Sequence, residues 1–139
     1  MKKIFPMAIG VGIAVIVMAV IVFSISGTPT KTPYEKTSIT QINAEEVNGI
    51  YEWESADSKS NPTLNFVANT NNVMEIKNPT DEKHEFVIES NGEEVIASGD
   101  VDPNMSTKFS FKPDAAGTYE YHCEYHPDTM KGTIIIIDK

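Results

Sequence analysis

The 139-residue sequence has one cysteine, Cys123, three histidines, one tryptophan and no arginine. Each scarcity removes a class of function. A single cysteine cannot close an intramolecular disulfide, so an exported thiol must be buried or capped if it is to escape oxidation. Without arginine there is no bidentate guanidinium fork for phosphate, and the eleven lysines face twenty acidic residues, for a net charge of −9. Nucleic-acid binding, which needs basic side chains clustered on one face, is excluded as a partner class. The chain also lacks a glycine-rich phosphate loop, a carboxylate pair at catalytic spacing, and any helical hydrophobic period beyond its first 26 residues.

Those first residues carry a membrane signal. After Lys2 and Lys3 the chain runs uncharged for 22 residues, from Ile4 to Ile25. As a helix this stretch would span roughly 33 Å, against a bilayer hydrocarbon core of about 30 Å. A cleaved signal peptide has an apolar region of only about 7 to 15 residues, so the length favours an uncleaved single-pass anchor over residues 1–26. The two lysines set its N-terminus in the cytoplasm and the rest of the chain outside the cell membrane. Ser24-Ile25-Ser26 does offer a small-x-small cleavage site, and cutting there would give a secreted or periplasmic protein instead.

Residues 27–44, rich in Thr, Pro and Ser, read as an extended tether. Beyond Ser26, nine lysines oppose twenty acids, a charge of −11. That is either a solvated surface or a docking face for a basic partner.

From 45 to 139 the sequence predicts one β-rich domain. Ile50–Glu54, Leu64–Val67, Val73–Lys77, Glu85–Glu89, Glu94–Ala97, Thr107–Phe111, Thr118–His122 and Thr133–Ile137 are each rich in β-branched or aromatic residues. Turn pairs such as Asn78-Pro79, Asn91-Gly92 and Ala116-Gly117 separate them. Around eight short strands at this spacing indicate an all-β fold, an antiparallel β-sandwich. Ile134 to Ile137, with no alternation, are expected to be buried on both faces.

Alternation then assigns side chains to faces. His84, Phe86 and Ile88 share the inward face of one strand, with Glu85, Val87 and Glu89 outward. In the segment 118–123, Tyr119, Tyr121 and Cys123 point inward and His122 points out. An inward imidazole and an inward thiol therefore stand at two strand ends, followed by a loop that adds His126 and Met130. Taken singly, Cys123 could be a small buried hydrophobe, His84 a hydrogen-bonded core residue and Met130 a gap filler. Together, two imidazoles, one thiolate and a weak thioether form the donor set of a trigonal His₂Cys copper site with a long axial Met. Zinc is disfavoured, since its sites draw on four strong N, O or S donors.

The same residues carry a family likeness. Asn78-Pro79, His84-Glu85-Phe86, the run Gly117 to Cys123, His126-Pro127 and Met130-Lys131-Gly132 resemble the cupredoxins, the type 1 or blue copper proteins, in a plastocyanin- or amicyanin-like form. The likeness implies a Greek-key sandwich with one copper held at its end by His84, Cys123, His126 and axial Met130. It implies single-electron transfer between larger redox proteins, and not an enzyme. Two departures accompany it. The His126-to-Met130 step is one residue longer than in amicyanin-like members and one shorter than in plastocyanin-like ones, leaving Asp128 or a backbone carbonyl as competitors for the axial place. Glu85 stands where many relatives have an asparagine tying the two ligand loops together, so the groups orienting the ligands must be built differently.

Three rivals are weaker. A copper oxidoreductase would need a second metal centre, and with two of three histidines used and Glu124 following Cys123, the ligands for one are missing unless a larger assembly supplies them. A copper-delivery protein would exchange metal through exposed ligands, whereas Cys123 faces inward. A Cys-His nucleophile is chemically permitted, but does not account for Met130 and a second imidazole.

Overall fold

The computed structural model describes residues 38–139. The expected anchor and all but the end of the expected tether lie outside the described residues, and within them no helix is long and apolar enough to cross a membrane.

Among the described residues nine strands form: β1 (Ile39–Val47), β2 (Ile50–Ser55), β3 (Leu64–Val67), β4 (Asn72–Asn78), β5 (Phe86–Ser90), β6 (Glu93–Ala97), β7 (Met105–Phe111), β8 (Gly117–Cys123) and β9 (Lys131–Ile137). They make two sheets, ordered β2-β1-β4-β7 and β3-β9-β8-β5-β6. Eight correspond to the expected segments, while β1 moves the tether boundary. Residues 39–44, expected to be irregular chain, are the first part of a strand paired with β2 on one side and β4 on the other. Thr40, Gln41, Asn43 and Glu45 disguise it, whereas Ile42 and Ala44 are wholly buried. Asn48 and Gly49 join β1 to β2 with both φ positive, 55° and 79°. Asn and Gly enter that region at least cost, and two such residues make the turn whose twist matches a hairpin.

The sandwich is mixed rather than purely antiparallel. β1 runs parallel to β4, and β3 parallel to β9. Ile134–Ile137 also differ from expectation: Ile134 and Ile136 enter the core but Ile137 is 55% exposed, because only one face of β9 packs against the opposite sheet. Val87, expected outward, is buried as well, set in register between Ala97 of β6 and His122 of β8.

Between the sheets, Ile42, Trp53, Met74 and Ile76 meet Phe66, Phe86, Ile88, Tyr121, Ile134 and Ile136. Burying each such side chain stabilises by about 1.5–3 kcal/mol. Trp53 lies edge-on to Phe86 (centroids 5.2 Å apart), and Phe86 stacks on Tyr121 at 4.8 Å. This aromatic column runs towards the end of the sandwich where β4, β5 and β8 deliver Asn78, His84 and Cys123. Asn78 continues the inward face of Met74 and Ile76, His84 that of Phe86 and Ile88, and Cys123 that of Tyr121.

Candidate metal centre

Cys123 is the last residue of β8 and stands opposite Phe86 in the β5–β8 register. His84, two residues before β5, is held through its backbone: its N–H donates to Val101 O at 3.2 Å and its carbonyl accepts from Val101 N at 2.7 Å. The loop after Cys123 winds tightly. His126 N donates to Cys123 O (3.2 Å), Met130 N to His126 O (3.0 Å), and Cys123 N to Met130 O (2.8 Å), so residues 123–130 close into a loop that begins and ends at the same cysteine. Glu124 N donates to Glu85 O at 3.2 Å, joining this loop to the His84 segment. The tie that an asparagine side chain would make is here a backbone bond of Glu85.

Three of the four expected donors converge. His84 Nδ1 lies 3.6 Å and His126 Nδ1 3.8 Å from Cys123 Sγ, and ligand atoms of the three residues all fall within 4.8 Å of one another. A first-row ion such as zinc, with bonds of about 2.0 Å to nitrogen and 2.3 Å to sulfur at trigonal angles, separates those donors by about 3.7 Å. The spacing therefore leaves room for one such ion. Met130 is fully buried and tied to Cys123 through its carbonyl, whereas Asp128 is exposed. His122 is not part of the cluster: it points outward between Glu89 (Nδ1 to Oε1, 3.6 Å) and Glu124 (Nε2 to Oε2, 3.7 Å).

Electrostatics fit a cation. Burial pushes the Cys123 thiol up, and the backbone amides of Glu85, Tyr125 and His126 only partly oppose this. A positive ion among the donors would supply the missing stabilisation of the thiolate. Burial, followed by the neighbouring His126, lowers His84 to about 4, which keeps its ring neutral and able to donate a lone pair.

The family model for the cupredoxin-like domain matches residues 14–136. The chain belongs to this family.

Solved structures similar to this cupredoxin include reduced rusticyanin, 27% identical over 71% of this chain and 79% of that one, with a TM-score of 0.57. Rusticyanin from Thiobacillus ferrooxidans is 24% identical over 71% and 77% of the two chains, with a TM-score of 0.56. Auracyanin A, described as a "blue" copper protein from Chloroflexus aurantiacus, is 16% identical over 72% and 98%, with a TM-score of 0.56. No curated protein matches the chain. The donor set of this cupredoxin, His84, Cys123, His126 and Met130, is consistent with one type 1 copper site.

Three further residues shape the centre: Tyr51 and Thr80 were not singled out from the sequence, and Asn78 was read only as part of a turn and of the family likeness. Tyr51 lies against both imidazoles, with ring centroids 5.1 Å from His84 and 4.7 Å from His126. Its hydroxyl donates to Asp81 at 3.0 Å, and burial together with that bond raises the phenol to about 12, so it stays protonated. Asn78 and Thr80 form a hydrogen-bonded chain to the far side of His84. A sequence signal existed for this pair, because Asn followed two residues later by a hydroxyl is a turn in which the side chains bond each other and the backbone.

Proposed function

We propose that this cupredoxin is a membrane-tethered type 1 copper protein that carries single electrons between redox proteins on the outer face of the membrane. One observation carries the reading: a buried thiol and a ring nitrogen from each of two imidazoles lie within 4.8 Å of one another at the end of the sandwich, with a buried methionine closing the same loop. Copper bound there would supply a one-electron Cu(I)/Cu(II) couple. His84, Cys123, His126 and Met130 would hold it.

The rest is work for the chain's own residues. Val101 fixes His84 through two backbone bonds, and the closed 123–130 loop fixes the other donors. A donor set held this firmly keeps one arrangement whether the charge at the centre is one or two. Little rearrangement means a low barrier to transfer. Burial of His84, Cys123 and Met130 excludes water from three sides. Of the three clustered donors His126 alone is half-buried, with Pro127 exposed beside it, so its ring edge would be the way in and out for an electron.

The surface favours basic docking faces on those partners. Tyr51, in contact with His126, feels the carboxylates of Asp81, Glu46 and Glu82, placing negative charge close to the exit. Opposite charge on a partner would raise the encounter rate, with a steep salt dependence. The apolar run Ile4 to Ile25 supports the tether.

The test is a visible spectrum of the full-length protein loaded with copper(II). An intense sulfur-to-copper charge-transfer band is expected, and Cys123→Ser should abolish it. A colourless loaded protein refutes the reading.

A further inference from the structure

We propose that Thr80, oriented by Asn78, locks the tautomer of His84 and so presents a bare Nδ1 to the metal pocket. Both are positioning residues. Their purpose rests on the copper reading above, but the hydrogen-bond chain itself needs no ion.

The chain starts at Asn78, which is 1% exposed. Its side-chain nitrogen donates to two backbone carbonyls, Glu82 O at 2.7 Å and Val101 O at 2.8 Å. Turning the amide over would set its oxygen against both, so its orientation is fixed. Asn78 Oδ1 then accepts from Thr80 N at 3.1 Å and from the Thr80 hydroxyl at 2.7 Å. An amide oxygen only accepts, which commits the hydroxyl proton to it. The other oxygen within reach of that proton, Glu82 O at 3.4 Å, is an acceptor as well.

Thr80 Oγ1 therefore meets His84 Nε2, 2.9 Å away, with a lone pair. His84 has to donate. A neutral imidazole carries one N–H; with Nε2 protonated, Nδ1 is unprotonated, and Nδ1 is the atom facing Cys123 Sγ at 3.6 Å. The opposite tautomer would place a hydrogen where the ion belongs and turn two lone pairs towards each other across the Thr80–His84 contact. Val101 O joins the two supports, since it accepts from both the Asn78 side chain and the His84 backbone.

The test uses ¹⁵N-labelled full-length apoprotein in mild detergent near neutral pH, where long-range ¹H–¹⁵N correlations tell the two ring nitrogens apart. The wild type should show His84 as the Nε2–H form; an Nδ1–H ring overturns the proposal whatever the copper chemistry. Thr80→Val, which keeps shape and loses the oxygen, should mix the tautomers and weaken copper binding by about 10- to 100-fold, the usual loss when a partner orienting a ligand is removed. Thr80→Ser should restore both. A folded Thr80→Val protein that keeps the Nε2–H form and full copper affinity overturns the proposal. Should Thr80→Val not fold, Thr80→Ser decides by itself, an Nε2–H ring supporting the lock and an Nδ1–H ring refuting it. A wild type with the expected tautomer that takes up no copper supports the lock and refutes the electron-carrier reading.

Discussion

Gly132→Ala adds one methyl group to β9, directly opposite Tyr121 of β8. The new Cβ would lie 2.5 Å from Tyr121 Cζ and 2.8 Å from Cε1, and against the phenolic oxygen as well. Carbon atoms rest at about 3.5–4.0 Å, so the ring would have to retreat by roughly 1 Å. It has nowhere to go. Tyr121 is 1% exposed, lies stacked on Phe86, and its hydroxyl donates to Pro62 O at 2.6 Å. Overpacking costs about 1–3 kcal/mol, and stranding the buried hydroxyl adds about 1–3 kcal/mol. Against this, the less flexible unfolded chain returns about 0.4–1 kcal/mol. The net loss should be near 3 kcal/mol. Urea unfolding of the full-length apoprotein can be followed through Trp53, the single tryptophan and wholly buried; at about 1–3 kcal/mol per molar urea, the midpoint should fall by roughly 1–3 M. In a Tyr121→Ala background the same substitution should be neutral or mildly stabilising, which isolates the clash as a coupling between the two sites. A midpoint shift below about 0.3 M, or an equal penalty without Tyr121, would show that the ring does not occupy the space above Gly132.

Acid should destabilise the apoprotein in a defined window. Unfolded His84 takes up a proton near 6.5 and the folded form only near 4, so stability is full above 6.5 and falls as pH drops, by about 2 kcal/mol at pH 5 and about 3 below pH 4. Copper on the ring should flatten that slope, and an apoprotein equally stable at pH 7 and pH 5 contradicts the assignment. Met130→Gln should retain copper but shift the reduction potential, because the axial ligand tunes it; an unchanged potential removes Met130 from the axial place. Mass spectrometry of the mature chain should include residues 1–26, and a mass beginning at Gly27 would replace the anchor with a cleaved signal.

What could be read in the sequence and what could not divide along physical lines. Alternation placed His84 and Cys123 inward because Cys123 ends a strand and His84 stands just before one, and the other inward residues of those strands, Tyr119 and Tyr121 or Phe86 and Ile88, are large and mostly apolar. His126 and Met130 were legible because they sit a few residues from Cys123, where loop length limits their reach. β1 was missed because Ala44 is a weak hydrophobic marker and the strand adjoins a polar stretch. Asn48-Gly49, a hairpin signal of the same kind as Asn91-Gly92, would have revealed it. The parallel pairings of β1 with β4 and β3 with β9 leave no local mark, since the partners are far apart in sequence. Tyr51 was invisible for the same reason: its contacts with His84 and His126 span 33 and 75 positions of chain.

The position of β9 bears on when the protein can first hold an ion. β9 is synthesised after every other strand described, yet it lies between β3 and β8 in their sheet. A polypeptide halted at residue 130 already carries all four sulfur and nitrogen donors, but β8 has no neighbour on one edge and β3 none on that side, so nothing shuts the cleft around the thiol. Non-local pairing of this kind comes late. By that reasoning the donors would close around an ion only once β9 has paired, in whichever compartment that pairing takes place.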